Sequence, residues 1–88
     1  MIKAQTIAEI ISLYKKHGWI LRRVLLSDAL KNDLKDSLGK LFGETEIISS
    51  GIDGAWFSRI SKNGEAWELR RLSDAPFALV EVFETDLD

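Results

Sequence analysis

Four side chains in this sequence have the types and spacing to do chemistry together: Glu68, Glu81, Arg59 and Arg70. They lie in the β-rich second half, where side chains alternate between the two faces of a strand. Two carboxylates held close together push one pKa up and create a general acid. Two guanidinium groups beside them favour a different outcome, a lattice of ion pairs on a solvated sheet. His17 is the one histidine. It could act as a general base, but its place in the last turn of a helix, beside Gly18, predicts a cap that opposes the helix dipole.

Other chemistries are excluded by composition. The 88 residues contain no Cys, which removes a disulfide scaffold, a thiolate zinc site and a cysteine nucleophile. A single His removes any two-histidine metal site. There is no Gly-x-Gly-x-x-Gly and no phosphate-binding loop. Asp33, Asp36, Glu44, Glu46 and Asp53 do not fall at calcium-loop spacing. The expectation is therefore no catalytic residue, no cofactor and no metal. The formal charge of −2 leaves no bulk electrostatic footprint for nucleic acid.

The elements that position these residues follow from periodicity. Ile7, Ile10, Ile11 and Tyr14 recur at helical spacing, and Thr6 with Glu9 has the spacing of a capping box. Together they predict a helix over 7–17, ended by Gly18. Residues 19–26 read as a strand, with Arg22 and Arg23 expected on opposite faces. Ser27 is an N-cap candidate, and Leu30, Leu34, Leu38 and Leu41 form a second apolar stripe, with the helix expected to close near Leu38. Strands are expected over 44–50, 55–61, 66–72 and 77–84. Asn63-Gly64 is expected as a two-residue hairpin turn. The predicted fold is one α+β domain over 1–88. It is a two-layer sandwich with two helices on one face of a mostly antiparallel sheet, order α-β-α-β-β-β-β. The strand at 44–50 is compatible with either a parallel crossover or an antiparallel return.

A turn at Asn63-Gly64 would place Arg59 opposite Glu68 and Phe57 opposite Arg70. One face would hold Trp56, Ser58, Ile60, Trp67, Leu69 and Arg71, joined by Ala78, Val80 and Val82. It is the more apolar and is expected beneath the helices. The other would hold Phe57, Arg59, Glu68, Arg70 and Leu72, joined by Phe77, Leu79, Glu81 and Phe83. This second face is expected to be free of helices. Every Arg in the chain falls in a predicted strand, while the lysines fall on helices, near an end or in turns. Arg suits flat, desolvated contacts and Lys suits wet surfaces.

The segment Ile10-Ile11-Ser12-Leu13-Tyr14-Lys15-Lys16-His17-Gly18-Trp19 resembles the opening helix and first strand of HicA-type RNA-cleaving toxins, over the first quarter of the chain. Those toxins carry Gly-Ser-His on the following strand. Here Leu25-Leu26-Ser27-Asp28 stands in that place, so the activity does not carry over.

The functional expectation is a small non-catalytic interaction module that dimerises, or binds another protein, through the helix-free sheet face. Phe57, Arg59, Glu68, Arg70, Leu79, Glu81 and Phe83 would form its contact surface. Single-stranded nucleic acid stacked on the aromatics of that face is the alternative, and a small enzyme of unknown substrate is the third. No apolar run approaches the roughly 20 residues of a membrane span, and the first residues lack a signal-peptide pattern, so a cytoplasmic protein with no membrane partner is expected.

Overall fold

The computed structural model describes residues 2–73 and the backbone of 80–85. Helix α1 spans Ala4–Lys16 and starts three residues before its expected position. The Thr6–Glu9 capping box does not form, because Thr6 already lies inside the first turn and the Ile7 N–H donates to the Lys3 carbonyl at 3.1 Å. Lys3 is the N-cap and makes no side-chain cap bond. Burial sets the start instead. Ile2 precedes the cap and Ile7 follows it by four, and both are buried in one apolar cluster. Those are the positions of a hydrophobic staple.

The far end of α1 behaves as expected. Gly18 takes φ +85°, its N–H donates to the Lys15 carbonyl, and the Trp19 N–H donates to the Tyr14 carbonyl, each at 3.0 Å. This paired pattern is a Schellman motif. It closes the helix and holds Trp19 beside Tyr14.

Strand β1 (Ile20–Leu26) leads into α2 (Asp28–Leu34). The Ser27 hydroxyl caps α2 by accepting from the Leu30 N–H at 3.2 Å. The Asp53 carboxylate accepts from the Ser27 N–H at 2.6 Å and from the Ser27 hydroxyl at 3.3 Å. One carboxylate thus ties the cap to the loop before β3. The apolar stripe Leu30–Leu41 is present, but the helix breaks at Lys35 and not near Leu38. A single 3₁₀ turn (Lys35–Ser37) intervenes before the short α3 (Leu38–Phe42). Lys35 is the one non-glycine residue with positive φ among the described residues, at +28°.

Five strands form one sheet in the order β2-β1-β3-β4-β5, with β2 at Glu46–Ser49, β3 at Gly54–Ser61, β4 at Gly64–Arg71 and β5 at Val80–Thr85. β2 runs parallel to β1, which settles the crossover, and the remaining pairs are antiparallel. The α+β class and element order therefore match the expectation.

The hairpin register differs by two residues. Ser61 pairs with Gly64, so the loop is Lys62–Asn63, and Arg59 faces Ala66 while Phe57 faces Glu68. Gly64 carries the unusual backbone, φ +145°. Neither loop residue has the positive φ a primed turn demands. A slip of two preserves which residues share a face, so the β3–β4 face assignments survive while the cross-strand partners change.

The side that the helices cover is the reverse of the expected one. Phe57 is fully buried, in a cluster with Ile7, Ile11, Val24, Leu26, Leu30, Leu34, Phe42, Ala55 and Leu72. All described helices pack on this side. The face with Trp56 and Trp67 has no described helix over it. The β5 register is also the reverse of the expected one: Glu81 pairs with Leu69 and Phe83 with Trp67. These two positions belong to the Trp face, so Glu68 and Glu81 are on opposite sides of the sheet. A β-bulge corrects a further expectation. Ile20 and Leu21 pair with Ser58 and Phe57, but Arg23 pairs with Trp56, leaving Arg22 as the extra residue. Arg22 Nε donates to Ser58 Oγ at 2.7 Å, so Arg22 joins the Trp face, where register also sets Arg23.

Candidate functional site

Two surfaces carry the chemistry-bearing side chains, one on each side of the sheet. The helix-free face is built from the register upward. β3 contributes Trp56, Ser58 and Ile60, and β4 contributes Glu65, Trp67, Leu69 and Arg71. β1 adds Ile20, Arg22, Arg23 and Leu25, and β2 adds Glu46 and Ile48. Trp56 and Trp67 meet edge to face with centroids 6.4 Å apart. Ile60 is 73% exposed and Ile20 51% exposed. Ser58 is 1% exposed and Leu69 6%, so both are covered while Ile60 and Ile20 stand out. The Arg22–Ser58 hydrogen bond supplies the partner that the buried hydroxyl needs.

The second surface is an open cleft of about 360 Å³ lined by Leu13, Tyr14, His17, Trp19, Arg59 and Glu68. The Schellman motif delivers Trp19 from the end of α1. Continuing the β1–β3 register by one step sets Trp19 opposite Arg59, and the Arg59 guanidinium lies 4.7 Å from the Trp19 ring centroid. Tyr14 stacks on Phe57 with centroids 4.0 Å apart and meets Trp19 edge to face at 6.0 Å. Tyr14 and Glu68 line the cleft together. Burial, then Glu68, push the Tyr14 pKa well above the ordinary tyrosine value, with Arg70 opposing.

The seven residues expected to form one contact surface are thus divided. Phe57 is core and cannot be part of an exposed surface. Arg59 and Glu68 line the cleft on the helix side. Arg70 is half-buried and its Nη1 donates to the Arg71 carbonyl at 3.1 Å. The Glu81 and Phe83 positions fall on the opposite face by register. Leu79 lies outside the described residues, as do Phe77 and Ala78. Trp56, Ile60 and Trp67 belong to the face expected beneath the helices, and the sequence assigns Ile20 to neither face.

Among the described residues no group of three or more His, Asp or Glu side chains could hold a metal ion. No described helix is long and apolar enough to cross a membrane. No family model matches the chain, and no curated protein or solved structure matches it. What these observations establish is a small α+β domain whose described residues form no metal-ligating cluster.

Proposed function

We propose that the protein is a non-catalytic interaction module that associates with a second copy of itself through the helix-free sheet face. The observation that carries this reading is the Trp56–Trp67 pair, flanked by the exposed Ile60 and Ile20, on a face that no described helix covers. Aromatic and Arg side chains with exposed aliphatics are the composition of interface cores. The face is also self-complementary along β4. Glu65, Trp67, Leu69 and Arg71 project to it in turn. A two-fold axis across the middle of β4 sets Glu65 against Arg71 of the other copy, twice, with the Trp67 side chain of each copy between them above the covered Leu69. That reciprocity is what an isologous interface requires.

Sedimentation velocity over a micromolar concentration series tests it. The wild type sediments as a dimer, and Ile60→Glu, at an exposed position that does not disturb the core, sediments as a monomer with an unchanged circular dichroism spectrum. A wild-type monomer across the series overturns the reading. If that monomer also shifts with a single-stranded oligonucleotide in a steeply salt-dependent way, the indoles and Arg22, Arg23 and Arg71 form a base-stacking platform instead.

A further inference from the structure

The cleft at the end of α1 lies on the other side of the sheet from the proposed dimer face and does not depend on it. Its volume of about 360 Å³ falls within the range of small-molecule sites, roughly 300–1,000 Å³. It presents three chemistries at once. Leu13, 56% exposed, with Tyr14 and Trp19 makes an apolar and aromatic wall. The Arg59 guanidinium carbon lies 4.7 Å from the centroid of the Trp19 ring. Arg59 also lines the cleft, and a guanidinium can grip a carboxylate with two parallel N–H bonds. His17 stands exposed on the same rim. Glu68 supplies the opposite charge. A carboxylate has about four acceptor positions, so it can take donors from a ligand.

A ligand bearing only negative charge meets Glu68, and one bearing only positive charge meets Arg59. A small zwitterion satisfies both. We propose that this cleft binds a free amino acid with an apolar side chain. Its α-carboxylate sits on the Arg59 guanidinium with His17, its α-ammonium on Glu68, and its side chain against Leu13 and Trp19.

Titration of the isotope-labelled full chain with L-phenylalanine, followed by NMR, tests the proposal. Phenylpropionate, phenethylamine and inorganic phosphate serve as the comparison ligands. Saturable shifts are expected at Tyr14, His17, Trp19 and Arg59, with the helix-free face unmoved. The carboxylate-only and amine-only compounds should bind at least tenfold more weakly, since each leaves one charge of the cleft unanswered. Arg59→Gln and Glu68→Gln should each weaken phenylalanine binding tenfold or more while the spectrum keeps its folded dispersion. Arg59→Lys keeps the charge but not the fork and should recover little. The proposal is overturned by an absence of saturable shifts at about 10 mM ligand, a concentration that would reveal even millimolar affinity. Phenylpropionate or phosphate binding as tightly as the amino acid overturns it too, and so do shifts confined to the Trp56–Trp67 face.

Discussion

The Tyr14 ring lies on the Phe57 ring, centroids 4.0 Å apart and planes within 14°, and this contact decides which side of the sheet is dry. Tyr14 is the last apolar residue of the α1 stripe and Phe57 sits mid-strand in β3. Once they stack, the odd-numbered side of β3 belongs to the core, and no described helix covers the even-numbered side with Trp56 and Ile60. Truncation of the two strand faces should therefore have very different consequences. Phe57→Ala is expected to cost about 3–5 kcal/mol, the usual range for a buried Phe. Ile60→Ser should stay within about 0.5 kcal/mol in the isolated protomer. Urea denaturation at a dilution that disfavours association measures both.

Tyr14 also makes stability fall in alkali. Its folded pKa is raised by burial and by Glu68. The folded state therefore holds the proton more tightly than the unfolded chain. The associated stability is fully present below the unfolded value near 10 and is lost as pH climbs beyond it. The chain has one tyrosine, so tyrosinate absorbance reports this group alone. It should titrate higher in the folded protein than in urea. Tyr14→Phe should abolish the signal and flatten this part of the stability profile.

The Asp53 carboxylate is expected to matter more than a turn residue normally does. It accepts from both the backbone N–H and the hydroxyl of Ser27, and Ser27 in turn caps α2. Asp53→Ala should cost about 1.5–3 kcal/mol, the range for charged hydrogen bonds, and Ser27→Ala about 1 kcal/mol. The double variant should lose less than the sum, because the two residues share one network. Thermal or urea unfolding of the four proteins checks the cycle.

Lys35 predicts a gain. A non-glycine residue at φ +28° carries backbone strain of order 1–3 kcal/mol, while Gly costs roughly 0.5–1 kcal/mol in chain entropy. Lys35→Gly should raise stability by about 0.5–1 kcal/mol, seen as a higher urea midpoint with an unchanged slope.

Much of the architecture was legible because local signals agreed with it. The α1 stripe, the Gly18 stop, the Ser27 cap and the succession of strands along the second half rest on periodicity and end chemistry, and each holds. The misplacements share a cause in long-range packing. Thr6 and Glu9 offered a local cap, but burial of Ile2 drew the helix start earlier. Asn63-Gly64 offered a tight turn, yet the hairpin closed one step sooner and left Gly64 in the strand. Arg22 and Arg23 broke strict alternation through a bulge that no residue type announces. The choice of dry face could not be read from apolar content, since Trp56, Ile60, Trp67 and Leu69 are together as hydrophobic as the side that is buried. Arg59 and Glu68 share one face but are not the cross-strand pair expected, because Arg59 faces Ala66 and Glu68 faces Phe57. Their neighbours Tyr14 and Trp19 come from the other end of the chain.

Charge reversal probes the two-fold contact through β4. Glu65 and Arg71 stand at opposite ends of one strand, about 20 Å apart at roughly 3.4 Å per residue, so they cannot pair within a chain. Sedimentation equilibrium should show a wild-type dimer. Glu65→Arg and Arg71→Glu should each weaken it about tenfold or more, and the double reversal should restore it. A wild-type monomer, or a double variant no tighter than the singles, rules out the two-fold contact.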